Sequence, residues 1–109
     1  KQYDKAIGYL ENFNSDDEML GPVTLGAVGD AFADINQPEE ALEYYVKAAN
    51  KKENNFTTPL FLYKAGLTAM ELKKFDKAAS LFTKIKENYP TSDQGRDVAK
   101  FINAAKYAE

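Results

Sequence analysis

The chain has 109 residues and a net charge of −3, and 44% of its residues are hydrophobic, which predicts a folded protein with one modest core. Lysines and acids are interspersed, so the charge pattern excludes the basic patch that nucleic-acid binding requires. Cysteine and histidine are absent, which excludes disulfides, thiolate zinc sites, cysteine nucleophiles and histidine-dependent catalytic triads.

Apolar residues recur at helical spacing along the whole chain, and no segment shows the alternation of a strand. The second helix opens with a capping box, Ser15 with Glu18, followed by a kink at Gly21-Pro22 before its main part. The acids 16–18 fit the positive end of that helix rather than a metal site, because they lack the spacing of a calcium loop. The predicted helices lie near residues 2–13, 16–35, 38–51, 58–72, 75–88 and 92–108.

Proline and capping residues set the later helix boundaries. A proline in the first turn fits a helix start, and a Ser or Thr side chain before it caps the free N–H groups. The residue before a proline disfavours helix, so a proline also marks a helix end. The boundary residues are Pro38 with Glu39 and Glu40, Thr58 as N-cap before Pro59, and Pro90 before a capping box of Thr91 and Gln94.

One motif occurs three times, as KQYDKAIGYL (1–10), NQPEEALEYY (36–45) and KKFDKAASLF (73–82). Its alanines Ala6, Ala41 and Ala78 are 35 and 37 residues apart, which predicts a repeated helical unit. Gly29 and Gly66 lie in the preceding helices, also 37 apart, although glycine inside a helix costs about 1 kcal/mol. We therefore expect close antiparallel hairpins in which Gly29 faces Ala41 and Gly66 faces Ala78.

These residues resemble the tetratricopeptide repeat, whose signature places Leu-Gly on the first helix and Ala-x3-Phe, then Pro, on the second. The repeat at 59–92 has its Gly66, Ala78, Phe82 and Pro90 at these places, and the repeat at 22–55 is similar. Departures include Leu62 for the usual Trp. The resemblance implies an all-α fold of antiparallel hairpins stacked in a right-handed superhelix, with about two full repeats, a leading half-repeat and a C-terminal capping helix. The predicted segments are 1–14, 15–55, 56–91 and 92–109.

The resemblance also implies that the first helix of each pair lines a concave groove, where a partner peptide or helix binds. Apolar side chains beside acids there suit a partner with apolar anchors and some positive charge. The alternative is that residues such as Leu67 and Met70 only pack against a neighbouring helix. Tyr44 and Phe61 are either exposed or packed between repeats. The candidate partner-binding residues are Asp30, Asp34, Leu60, Tyr63, Leu67, Met70 and Glu71, in a groove that also includes Val23, Gly26 and Ala33.

No nucleophile, metal set or phosphate loop accompanies the acids, so we expect no enzyme and no cofactor. The predicted function is a non-catalytic scaffold that binds a protein partner. The alternative is a self-association module that makes a larger protein oligomeric.

A narrower resemblance, carried by residues 15–45, 54–67 and 86–97, is to bacterial tetratricopeptide proteins related to the ancillary subunit of the SecYEG translocon. It implies a position on the extracytoplasmic face of the inner membrane. We expect no membrane insertion by this segment, since no apolar run approaches about 18 residues. Because the chain begins at Lys1, we expect an upstream part that carries the anchor. A cytoplasmic protein is the alternative.

Overall fold

A computed structural model of the chain describes residues 20–108, which form five α-helices and no strand. The predicted helix 2–13, the cap at 15–18 and the half-repeat 1–14 lie outside the described residues. The predicted all-α class is confirmed, and the handedness of the stack stays a prediction. The helices are α1 (Leu20–Asp34), α2 (Pro38–Lys51), α3 (Thr57–Glu71), α4 (Phe75–Asn88) and α5 (Asp93–Lys106).

The five helices form two layers. Helices that follow each other in the chain pack together, so that α1 with α2 and α3 with α4 are hairpins and α5 packs on α4. Helix α3 contacts both α1 and α5, and these three helices make the first layer. Helices α2 and α4 make the second layer and do not contact each other. The thinnest dimension is 16 Å, the depth of two helices packed about 8–10 Å apart.

Both hairpins turn through the same hydrogen-bonded motif. After α1, Asn36 has φ 61°, its N–H bonds the Ala33 carbonyl at 3.0 Å, and the Gln37 N–H bonds the Phe32 carbonyl at 2.9 Å. After α3, Lys73 has φ 62° and the equivalent bonds measure 2.9 and 2.8 Å. This pair of bonds is the Schellman motif, which satisfies the last carbonyls of a helix through one left-handed residue.

Replacing Lys73 with glycine should stabilise the fold. A residue with a side chain loses about 1–2 kcal/mol of stability when it adopts the left-handed conformation, and glycine avoids this cost. Part of the resulting gain is offset because glycine makes the unfolded chain more flexible. We expect Lys73→Gly to raise the free energy of unfolding by about 0.5–1 kcal/mol in urea denaturation. The matched change Lys84→Gly, at an exposed position within α4, should instead lower it by about 0.5–1 kcal/mol. If Lys73→Gly and Lys84→Gly changed the free energy of unfolding equally, the conclusion that the Lys73 backbone is strained would be contradicted.

The start of α3 differs from the prediction. The helix begins one residue earlier than expected, at Thr57, and Asn54 caps it: the Asn54 side-chain oxygen accepts from the N–H groups of Phe56 at 2.9 Å and Thr57 at 2.7 Å. Thr58, the predicted cap, is buried and its hydroxyl donates to the Ala49 carbonyl at 3.2 Å. The prediction was wrong because the helix starts earlier, so that Thr58 lies in its first turn and its hydroxyl oxygen accepts from the Asn54 N–H at 2.9 Å.

The start of α5 also differs by one residue. Ser92 is the cap, and its hydroxyl oxygen accepts from the Gly95 N–H at 3.0 Å. The predicted box of Thr91 with Gln94 was wrong. The Ser92 hydroxyl also donates to the Tyr89 carbonyl at 2.7 Å, so one side chain joins the end of the α4 segment to the start of α5.

The two mid-helix glycines are buried, but their nearest neighbours are not the predicted alanines. A Cβ on Gly29 would lie 2.7 Å from the Tyr45 ring, and one on Gly66 would lie 2.5 Å from the Phe82 ring. Ala41 and Ala78 are fully buried and lie one helical turn before Tyr45 and Phe82, respectively. Helical side chains lean toward the N-terminus, so each ring covers the turn that contains the alanine. Each glycine therefore lies against an aromatic ring of the next helix, and the facing of Gly29 to Ala41 and of Gly66 to Ala78 stays a prediction.

Aromatic rings join the layers. Phe61 is buried between the hairpins, with its ring centroid 6.5 Å from that of Tyr45. Phe82 packs 5.4 Å from Phe101 of α5. Tyr44 stacks on Phe32 inside the first hairpin, with centroids 5.6 Å apart. Phe61 is therefore packed between repeats, whereas Tyr44 is half-buried and packs inside its own hairpin, which neither alternative described.

Candidate partner-binding face

The outer side of the layer formed by α1, α3 and α5 is the candidate site, and we call it the odd-helix face. Exposed and half-buried positions recur there at helical spacing, because the opposite sides of these helices are buried against α2 and α4. An ion pair between Asp30 and Lys64 ties the α1 and α3 stripes together. The stripes are Val23, Ala27, Asp30 and Asp34 on α1, and Leu60, Lys64, Leu67 and Glu71 on α3.

Two apolar side chains on the odd-helix face are open to solvent. Val23 is 47% exposed and Leu67 is 38% exposed. Leu60 and Met70 are half-buried and pack against the core, as the packing alternative expects for them. Leu67 and Val23 are therefore the most exposed apolar side chains of the face.

Tyr63 is half-buried and forms part of a recess between α3 and α5. Its ring packs edge-on against Phe82 and Phe101, with centroids 6.2 and 5.6 Å away. The recess of about 160 Å³ is lined by Tyr63, Asp93, Gln94 and Asp97. The sequence analysis did not include the two aspartates in the site. The signal that could have found them is the repeat period, which places α5 next to α3 as the following odd helix.

Asp30, a predicted partner-binding residue, is engaged inside the protein. Lys64 Nζ lies 3.1 and 3.4 Å from its two carboxylate oxygens, and the Tyr45 hydroxyl donates to one of them. Burial raises the pKa of the Tyr45 hydroxyl far above its usual range, and the hydrogen bond and charge of Asp30 and the charge of Asp34 raise it further. Tyr45 therefore remains a donor, and Asp30 joins α1, α2 and α3.

Asp34 and Glu71 occupy the same place in the two hairpins, as the last residues of α1 and α3. Both side chains are exposed, and neither has an ion pair within residues 20–108. An acid at the negative end of a helix costs about 0.3–1 kcal/mol. The other three described helices carry a lysine in the last turn, as the helix dipole favours: Lys51, Lys86 and Lys106.

Gly26 does not line the face, contrary to the prediction. It is buried, and a Cβ there would lie 2.2 Å from the Phe61 ring. Its missing side chain lets α3 approach α1 closely. Ala33, predicted beside it, is exposed.

The described residues offer no group of three or more acids that could hold a metal ion. Every buried side-chain nitrogen or oxygen between residues 20 and 108 has a hydrogen-bond partner. None of the five helices combines the length and the apolar character needed to cross a membrane. The exposed groups that the odd-helix face offers include apolar side chains and carboxylates.

Comparison with known families agrees with the hairpin of α3 and α4. Residues 61–92 match the tetratricopeptide repeat. This match supports a tetratricopeptide protein, a class whose repeats generally mediate protein–protein interactions and are typically not catalytic. No curated protein and no solved structure matches the chain.

The matched tetratricopeptide repeat separates its folding residues from its candidate binding residues. Gly66, Ala78 and Phe82, the signature residues, are buried where α3 meets α4. Leu67 and Glu71 lie on the exposed stripe of α3. Changes on that stripe can therefore test binding without removing the contacts that hold the repeat together.

Proposed function

We propose that this chain is a non-catalytic scaffold whose odd-helix face binds a segment of a protein partner with apolar anchors and positive charge. The observation that carries the proposal is that the outer stripes of α1 and α3 each hold one exposed apolar side chain and end in an acid that has no ion pair within residues 20–108. On α1 these are Val23 and Asp34, and on α3 they are Leu67 and Glu71.

The apolar part of the face supports the choice of a peptide or helix as the ligand. Leu67 has half-buried Leu60, Tyr63 and Met70 beside it on α3, so one anchor side chain of a partner can contact several apolar groups. These groups are held on helices, and a partner therefore binds without first ordering its receptor.

The charge of the face supports a basic partner. Asp34 and Glu71 add their charges to the negative ends of α1 and α3, which is unfavourable for the isolated fold. Asp97 is also exposed at the recess beside Tyr63. A lysine or arginine of the partner relieves this repulsion when it binds, whereas an acidic partner increases it.

Peptide arrays test this proposal, with helical peptides that carry leucine at i and i+4 and lysine on one flank. We expect binding to the chain, and we expect Glu71→Lys to weaken it about fivefold at low salt, since an exposed ion pair contributes up to about 1 kcal/mol. Leu67→Ser should weaken it as well, by removing the apolar contact. Affinities are measured by isothermal titration calorimetry with the array peptide that binds most strongly.

The matched control is Glu87→Lys, which reverses an exposed acid near the end of α4, outside the odd-helix face. It should leave peptide affinity unchanged. An array in which acidic peptides bind as well as basic ones, or a Glu87→Lys effect equal to that of Glu71→Lys, would contradict the proposed face.

We further propose that the protein lies on the extracytoplasmic face of a bacterial inner membrane, held by an upstream anchor. The support for this location is the narrower sequence resemblance. Protease digestion of spheroplasts that carry the full-length protein tests it: added protease should remove the protein from intact spheroplasts. Protection until the membrane is lysed would favour the cytoplasmic alternative.

A further inference from the structure

A groove runs between α2 and α4, on the side of the protein away from the odd-helix face. The two helices do not contact each other, and the space between them measures about 350 Å³. Its floor is apolar, with Leu42 buried and Val46 half-buried. It is lined by Glu39, Leu42, Glu43, Val46, Lys47, Lys74 and Lys77.

The two walls of this groove carry opposite charges. The α2 wall has Glu39 and Glu43, and the opposite wall has Lys74 and Lys77. Lys47, also on α2, is engaged within its own helix, since its Nζ lies 3.4 Å from Glu43 Oε2 and 4.4 Å from the centre of the Tyr44 ring. The Lys74–Glu39 ion pair, at 3.2 Å, crosses the groove. Glu39 and Lys74 therefore lie at the same height along it.

We propose that this groove binds a second copy of the same chain. A twofold interface uses the same patch on both copies, so the patch must be complementary to itself. A twofold axis parallel to the groove leaves each residue at the same position along the groove. It also places each wall against the opposite wall of the other copy. It therefore places Glu39 opposite the partner's Lys74, twice in the dimer, so that the Lys74–Glu39 pair within each chain is exchanged for two pairs between the copies.

The rest of the surface argues for this patch over the odd-helix face as the dimer contact. A copy of the odd-helix face placed on itself would bring together unpaired acids, Asp34 and Glu71, and like charges repel. The dimer through α2 and α4 leaves both odd-helix faces open. Because exposed ion pairs each contribute at most about 1 kcal/mol, the dimer should be weak and sensitive to salt.

Sedimentation velocity of the 109-residue chain over a range of protein concentrations tests the proposal. We expect a dimer that dissociates as salt increases. The basic variant E39K/E43K and the acidic variant K74E/K77E should each self-associate at least about tenfold more weakly, because each has two walls of one sign. An equimolar mixture of the two variants should form a heterodimer. The four-site variant E39K/E43K/K74E/K77E, with its walls exchanged, should dimerise like the wild type.

Circular dichroism checks that each variant is folded, and Glu87→Lys serves as a charge reversal outside the groove that should leave the dimer unchanged. A wild-type chain that stays monomeric at millimolar concentration overturns the proposal. So does a dimer that both two-site variants form as strongly as the wild type, because the contact then lies on another surface. If one two-site variant fails to fold, the salt dependence of the wild type and the four-site variant still decide the result.

Discussion

Replacing Phe82 with alanine should lower the free energy of unfolding by about 3–5 kcal/mol, the range for removing a fully buried phenylalanine. The Phe82 side chain, on α4, is 0% exposed and contacts two other helices, α3 and α5. Its ring packs edge-on against Tyr63 of α3 at 6.2 Å and stacks with Phe101 of α5 at 5.4 Å. Because small domains are stable by only about 5–15 kcal/mol, this change removes a large part of the stability. Urea denaturation followed by circular dichroism measures it.

The matched control is Phe56→Ala, which deletes the same atoms from a side chain that is 67% exposed. It should change the stability by no more than about 0.5 kcal/mol. If Phe82→Ala does not fold, Phe82→Leu gives a measurable variant with an expected loss of about 1–2 kcal/mol. Equal losses for Phe56→Ala and Phe82→Ala would show that Phe82 is not at the centre of the core.

Gly66→Ala should also destabilise the protein, by up to about 2 kcal/mol. The added Cβ would lie 2.5 Å from Phe82 Cε1 and 2.6 Å from Cζ, and Tyr63 and Phe101 hold that ring in place. Overpacking of a core costs about 1–3 kcal/mol, while alanine is favoured over glycine in a helix by about 1 kcal/mol. The packing cost exceeds the gain in helix propensity.

A double-mutant cycle isolates this contact. In a Phe82→Leu background the ring atoms that clash are missing, so Gly66→Ala should cost less there, with a coupling energy of about 1 kcal/mol. The matched change Ala99→Gly, at an exposed position within α5, reports the helix propensity alone. A Gly66→Ala variant as stable as the wild type would mean that α3 and α4 are farther apart than described.

Helix positions could be predicted from the sequence because local residues determine them. The bounds 38–51 and 75–88 are as predicted. Pro38 fixes the first of these starts, since proline suits the first turn of a helix. The hydrophobic period gives the buried side of each helix, and Gly29 and Gly66 lie on that side, each against an aromatic ring of the next helix.

The two capping errors come from competing polar side chains near each helix start. Thr58 has the sequence signature of an N-cap, but Asn54 caps the helix from four residues earlier, and the Thr58 hydroxyl accepts from the Asn54 N–H and donates to the Ala49 carbonyl of α2. A rule that ranks single residues does not decide between neighbouring candidates for the same helix end. The choice between Thr91 and Ser92 is of the same kind: the Ser92 hydroxyl accepts from the Gly95 N–H and also donates to the Tyr89 carbonyl.

The candidate site could be predicted only in part. The repeat pattern identified the exposed stripe with Leu67 and Glu71. It did not show that Asp30 is bound by Lys64, 34 residues away, and by the Tyr45 hydroxyl. Such pairing depends on how far one hairpin is shifted against the next, and no local residue encodes that distance.

The packing of α5 on α4 has a practical consequence for anyone who isolates the matched segment 61–92. That fragment would lack Phe101, which stacks on Phe82, together with the buried Val98 and Ile102. The side of α4 that these residues cover would then be a contiguous apolar surface exposed to water, which favours aggregation over folding. Recombinant versions should therefore extend at least through Lys106, the last residue of α5.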